Sequence, residues 1–301
     1  MEIFKRVPQF DFMMRKTTAV VLSSTVILVG VISILVHGGL RYGIDFAGGT
    51  LVQLKFANPP VIEDVRDGLK TIGLGESTIQ EFGSKYHLLI RVEKSEEKLE
   101  EMGTRIKNSL VGKFQANNIV VERVEMVGPK VGKDLREKAI LSIIYAIIGI
   151  VIYISWRFEF QYAVAAIIAL IHDVLVTMGA FSLADKEFTL VVVAAFLTII
   201  GYSLNDTIVV FDRIRENMRR KGKTLLVDVV NVSINQTLSR TILTSGTTLL
   251  VVISLFFLGG EIIHDFSFAL MIGVLVGTYS SIFIASVFLV YWGSRGITRR
   301  T

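Results

Sequence analysis

Six long apolar stretches restrict the fold of this sequence more than any other feature. They run Thr17–Val36, Ala139–Trp156, Tyr162–Leu183, Leu190–Phe211, Thr241–Leu258 and Phe266–Trp292. A bilayer core of about 30 Å needs roughly 20 apolar residues in a helix. Hydrophobic residues make up 51% of 301 positions, and they are clustered in these stretches. The chain therefore reads as an α-helical polytopic membrane protein with six transmembrane helices. The second stretch is short and the sixth long, which predicts tilt or frayed ends. Lys5, Arg6, Arg15 and Lys16 precede the first stretch. It is too long for a signal-peptide core and no small-x-small cleavage site follows, so it reads as an uncleaved first span.

The resulting division is a cytoplasmic segment 1–16, a first span 17–37, an external region 38–138, a five-helix region 139–292 and a cytoplasmic tail 293–301. Within the five-helix region, 212–240 reads as a cytoplasmic loop. Its segment Thr224–Leu238 places Leu226, Val230, Ile234 and Leu238 on one face, which predicts an amphipathic helix on the inner leaflet in contact with membrane lipids.

Charge gives the orientation. The loop after the fourth span holds Arg213, Arg215, Arg219, Arg220, Lys221 and Lys223, with Arg240 at its membrane edge, and the C-terminus holds Arg295, Arg299 and Arg300. On the other side, Ala184–Glu187 has only Lys186, and Gly259–Asp265 has neither Lys nor Arg. The basic side is the cytoplasmic one, so both termini lie inside. The net charge of +5 is thus a matter of topology and not of nucleic-acid binding. The chain has no cysteine, which excludes a disulfide framework and thiol catalysis, and its four histidines make poor provision for zinc.

The external region reads as β-α-β-β-α-β, the ferredoxin-like order of an α+β domain. Thr50–Phe56 alternates as a strand, and Pro60–Ile72 is a helix with Gly73 beyond its end. Ser77–Phe82 and His87–Val92 are strands around Gly83. Ser95 caps a second helix, with Glu96 and Glu97 in its first turn, that reaches about Phe114. Asn118–Val127 is the last strand. His87 stands alone in its strand, and no catalytic constellation is present, so a binding or lever role is expected.

Ionisable groups inside a span are expensive and need a reason. The third span holds His172 and Asp173, the fourth Asn205 and Asp206, and the fifth starts at Arg240. Asp206 lies about 9 Å deeper along its helix than Asp212. Thr198, Tyr202 and Asp206 form one stripe, Arg240, Thr244 and Thr248 a second, and Ala165, Ala169, Asp173 and Thr177 a third. Three such faces suit a shared interior. A carboxylate that can take up a proton beside an arginine that cannot lose its charge makes an electrostatic switch. His172 and Asp173 also fit a structural pair between helices, and Arg240 also fits an interfacial anchor. Gly273, Gly277, Ser281 and Ala285 form a small-residue ridge for close packing of the last span.

These residues resemble the SecD/SecF family of the RND superfamily, on its SecF side. The resemblance rests on Arg41–Thr50 (RYGIDFAGGT), Trp156–Glu159 with Ala169–Asp173, Gly201–Asn217 (GYSLNDTIVVFDRIREN), Asn235–Thr241 and Gly277–Ser286. It covers nearly the whole chain. Many relatives have Pro after the final Ala-Ser, where this chain has Val287, which bears on the tilt of the last helix.

The resemblance implies a non-enzymatic subunit that pairs with SecD and works beside the SecYEG translocon, after the ATPase SecA, on a translocating preprotein. YidC and YajC are further implied neighbours. The machinery sits in the bacterial inner membrane and uses the proton-motive force. The coupling ion is a proton, sodium serving in some members, and no cofactor, metal or nucleic acid is implied. Asp206 and Arg240 match the family's proton-pathway positions. Asp173, His172, Asn205, Tyr202 and Thr244 fit either that pathway or helix packing. A stand-alone exporter of lipids or small molecules and a passive translocon scaffold are the alternative readings.

Overall fold

A computed structural model describes residues 7–92, 99–114, 118–221 and 224–297. The expected cap at Ser95 with Glu96 and Glu97 lies outside the described residues, as do Lys5, Arg6, Lys223, Arg299 and Arg300. The chain forms two compact units, Met1–Arg41 with Ser142–Thr301, and Tyr42–Leu141.

The first unit is helical. Its helices are α1 (Lys16–Val36), α5 (Pro129–Arg157) from Ser142 onward, α6 (Phe160–Leu183), α7 (Leu190–Lys221), α8 (Leu226–Leu258), α9 (Glu261–Ser280) and α10 (Ser286–Ile297). Among the described residues six helical spans are long and apolar enough to cross a membrane, the last being Ile263–Gly293. The protein is a multi-pass membrane protein. In a bilayer each backbone polar group must be satisfied within the protein, which continuous helices achieve. α6 and α7 supply much of the buried core, including Ala165, Ala169, Phe196, Ile199 and Phe211. The outward side chains of α1 and α5, such as Leu28, Leu35, Tyr145 and Ile152, are exposed and apolar, as lipid-facing positions require.

Three helical details depart from the sequence expectation. α5 is 29 residues long and opens with Pro129, so the helix begins well before the apolar stretch that starts at Ala139. Pro suits a first helical turn because its missing N–H has no partner there anyway. The sixth span is not one α-helix, since α9 and α10 are joined by a π-turn over Ser281–Ala285. The region 212–240 is mostly helix, because α7 continues to Lys221 and α8 begins at Leu226. Val230, Ile234 and Leu238 bury their apolar face in the same core as Val210, Phe211 and Ile214. That face is covered by protein, which corrects the expected inner-leaflet helix.

α1 and α6 meet where Gly30 faces Gly179; a Cβ built on Gly30 would lie 2.7 Å from the Gly179 Cα. Loop contacts sort the connections into two groups. Arg41 pairs with Asp185 at 2.6 Å, and Lys186 with Asp265 at 2.7 Å. Arg41 follows the first span, Asp185 and Lys186 follow the third, and Asp265 lies in the first turns of α9. Separately, Arg157 pairs with Asp212 at 3.0 Å. The N-terminal segment is tied to the start of α8: the Asn235 side chain accepts from the Phe10 N–H at 2.9 Å and donates to the Phe10 carbonyl at 2.8 Å. Asn231 Oδ1 accepts from the Phe12 N–H at 2.9 Å.

The second unit follows the order β1 (Gly49–Lys55), α3 (Ile62–Lys70), β2 (Thr78–Phe82), β3 (Ser84–Val92), α4 (Leu99–Val111) and β4 (Val120–Val127), preceded by the single turn α2 (Ile44–Ala47). The sheet order is β2-β3-β1-β4 with antiparallel pairs throughout. Alternation puts Val52, Leu54, Leu88, Ile90 and Val92 on one face, where Val65 and Leu69 of α3 and Met102, Ile106 and Leu110 of α4 cover them. Gly48 has φ 75°, and a Cβ there would lie 3.0 Å from the Pro129 Cα, so position 48 requires glycine for both space and conformation. His87 is not isolated, since its ring lies 2.7 Å from Ser84 Oγ and 3.4 Å from Glu122.

Candidate functional site

Asp206 sits in the middle of α7 and is 2% exposed. Its carboxylate accepts a hydrogen bond from Ser245 Oγ of α8 at 3.2 Å. Ser245 Oγ accepts in turn from Thr278 Oγ1 of α9 at 2.7 Å. Arg240 of α8 acts on Asp206 through its charge. Among the described residues it makes no ion pair, however, and it is exposed. The two residues expected to form a switch are therefore not in direct contact; a hydroxyl occupies the place beside Asp206.

A second buried carboxylate lies on α6. Asp173 is 1% exposed and His172 6%. Asp173 Oδ1 lies 2.8 Å from His172 Nδ1. Its Oδ2 accepts from Ser280 Oγ of α9 at 2.8 Å and from Ser203 Oγ of α7. Thr177 donates back to the Asp173 carbonyl at 2.7 Å, and the whole Ala165–Ala169–Asp173–Thr177 stripe is buried. The His172 ring stacks on Tyr279 of α9 at 6.1 Å. Tyr279 Oη donates to the Ala19 carbonyl of α1 at 2.8 Å and accepts from Ser23 at 3.0 Å. A buried charge is tolerable only when hydrogen-bonded or paired, and Asp173 satisfies that condition with three helices.

The other expected positions scatter. Thr198 and Asn205 are exposed. Tyr202 is partly buried, and its hydroxyl has no hydrogen-bond partner among the described residues. Thr244 donates to the Arg240 carbonyl of its own helix at 3.0 Å. The partners that spacing did not reveal are Ser203, Ser245, Thr278, Tyr279 and Ser280. The signal that could have pointed to the last three is the hydroxyl run Thr278-Tyr279-Ser280-Ser281 inside an apolar span. α9 approaches α7 closely because Gly273 and Gly277 face Ile199 and Ser203; a Cβ at Gly277 would lie 3.0 Å from that of Ser203.

The arrangement can satisfy the Asp206 carboxyl in either protonation state. Ionised Asp206 accepts, which polarises the chain Thr278→Ser245→Asp206. When protonated, Asp206 can donate to Ser245, and the chain reverses. Thr278 has a second acceptor ready for that state, the Val274 carbonyl at 2.8 Å.

Buried carboxylates bonded between apolar spanning helices define the chain as a multi-pass membrane protein with a polar interior. Comparison narrows this. The family described as protein export membrane protein SecD/SecF, C-terminal, matches residues 106–295, and the SecD/SecF GG motif matches residues 33–60. The protein translocase subunit SecF of Desulfurispirillum indicum is 51% identical over 292 residues, covering 95% of this chain and 92% of that protein. That of Magnetococcus marinus is 48% identical over 300 residues, covering 98% and 96%. Among solved structures, the crystal structure of SecDF, a translocon-associated membrane protein from Thermus thermophilus, superposes with TM-score 0.87 at 35% identity. A super-membrane-facing form of SecDF gives 0.70 at the same identity. Both cover 97% of this chain, which spans 40% of the length of each SecDF chain. The chain belongs to the SecD/SecF family of protein-export membrane proteins, and its role is in protein export.

Proposed function

We propose that this chain is a non-enzymatic export subunit that pairs with SecD and uses the proton-motive force to help complete preprotein passage through the SecYEG channel. It resides in the bacterial inner membrane with both termini cytoplasmic. Its ferredoxin-like unit, Tyr42–Leu141, lies on the outer side and moves with the coupling cycle. Asp206 takes up and releases the proton, Arg240 sets the local charge, and no cofactor takes part.

The observation that carries this reading is Asp206 itself, a carboxylate 2% exposed in a spanning helix and bonded to a hydroxyl chain that can reverse. Pairing with SecD has separate support. Thr198, Gly201 and Asn205 on α7 and Arg240, Thr247 and Ser254 on α8 are exposed. Lipid is a poor neighbour for Asn205 and Arg240, whereas a second membrane subunit packs well against small and polar residues. Charge in the connecting segments supports the orientation.

The test is preprotein export with Asp206→Asn, with abundance and SecD association measured in parallel. Lost export with normal assembly supports proton coupling at Asp206. Normal export removes Asp206 from the mechanism and favours a scaffold. Repeating the assay with the sodium and proton gradients collapsed separately identifies the ion.

A further inference from the structure

The two buried carboxylates are joined through three consecutive residues of α9. Thr278 bonds Ser245, the partner of Asp206. Ser280 bonds Asp173. Tyr279, between them, stacks on His172 and bonds α1 at Ala19 and Ser23. At 3.6 residues per turn, positions 278 and 280 point about 200° apart, so they address opposite sides of one rigid helix. Rotation of α9 that changes the Thr278 contact necessarily changes the Ser280 contact.

The π-turn Ser281–Ala285 begins one residue later. A π-turn interrupts the regular i→i−4 ladder, and such turns mark places where one part of a helix can change register against the other. Ser286 Oγ donates to the Ser281 carbonyl at 2.8 Å across this turn. The segment has neither proline nor an internal glycine, and the Ser286 hydroxyl is a local bond across the wide turn. The charged and titratable groups that the surrounding helices bring to the two carboxylates are His172 of α6, Arg240 of α8 and, stacked on His172, Tyr279 of α9.

We propose that Thr278–Ser280, with the π-turn behind it, is the transmission element that carries a change at Asp206 to Asp173 and α1, and that Asp173 is its positioning residue. Asp173 touches no transported group in this scheme. It fixes Ser280 and Ser203, and so sets the rotational state of α9 from which the π-turn shifts. This rests on Asp206 changing state during the cycle, as argued above.

The chain is free of cysteine, so a single reporter can be placed without background. Phe283 lies in the π-turn, is partly buried, and has its ring 5.1 Å from that of Tyr279. The experiment measures maleimide labelling of Phe283→Cys in the full chain in native membranes. Asp206→Asn should change the labelling rate by about fivefold or more, the scale of a typical coupling between sites. In a Ser280→Ala background the same substitution should change nothing further, whereas Ser280→Thr, which keeps the hydroxyl, should preserve the response. Asp173→Ala should act like Ser280→Ala, and Asp173→Asn, which keeps an acceptor, like the parent. An unchanged rate in Asp206→Asn, or an equal response with and without the Ser280 hydroxyl, overturns the inference. Export measured on the same membranes separates the two ideas: lost export in Asp206→Asn without a labelling response sinks the transmission element alone, and normal export sinks the role of Asp206.

Discussion

Ser245 and Asp206 meet at 3.2 Å, α8 offering the hydroxyl and α7 the carboxylate. Removing the hydroxyl leaves a buried acceptor short of a partner, which costs about 1–3 kcal/mol. Ser245→Ala should therefore lower the thermal midpoint in detergent, and Ser245→Thr should not. Equal midpoints for the two variants would show that the bond contributes nothing to the fold.

Gly30 and Gly179 leave no room for a side chain between α1 and α6. Gly179→Ala forces the helices apart, and overpacking of this kind costs about 1–3 kcal/mol. Gly149 of α5 makes the contrast, since a Cβ there meets nothing within 4 Å. Gly149→Ala should hold or raise stability, because alanine is the better helix former by roughly 1 kcal/mol. Parallel thermal melts decide the matter.

The Asn235 amide makes both a donor and an acceptor bond to the Phe10 backbone. Asn235→Ala removes both, about 2 kcal/mol together, and should raise the open population of the N-terminal segment roughly thirtyfold. Trypsin cleavage after the exposed Arg15 reports it, because cleavage of a rapidly opening segment follows the open population. A cleavage rate equal to that of the parent would show that the clamp does not hold the segment.

Asp67 on α3 is bonded by Lys70 at 3.0 Å and Lys113 at 3.2 Å, and these ammonium groups hold its carboxyl below the usual carboxylate range. Its favourable contribution is present above that range and is lost as pH falls through the depressed value. A carbon-13 titration of the side chain should place the midpoint below that of a free aspartate. Lys70→Met should move it back up, and so should high salt, which shortens the screening length to about 3 Å at 1 M. A midpoint indifferent to both would remove the lysines as the cause.

The spans and the two buried carboxylates were legible because a charge within an apolar helix stands out whatever its surroundings. Their hydroxyl partners were not. A serine or threonine in a spanning helix can bond the carbonyl one turn back, as Thr198, Thr247 and Thr248 do, and spacing alone does not separate those from Ser245 or Ser280. The basic run Arg219–Lys223 hid how far α7 and α8 reach on either side of it, because exposed charge reads the same in a loop and on a helix end. The π-turn had no sequence mark at all, since Ser281–Ala285 contains neither of the residues that usually disturb a helix. Arg240 was found by its chemistry, but its exposed position depends on which side of α8 the bundle leaves uncovered.

The clamp on Phe10 also bears on the order in which the molecule can be made. Phe10 and Asn235 are 225 residues apart, so the N-terminal segment leaves the ribosome long before its partner exists. The same holds for α1, whose Ala19 and Ser23 bond Tyr279 some 260 and 256 residues later. α1 is thus fastened by a helix made much later, and a nascent chain halted before α9 would carry α1 without those fastenings. Emergence of α9, rather than insertion of α1, is the event that supplies them.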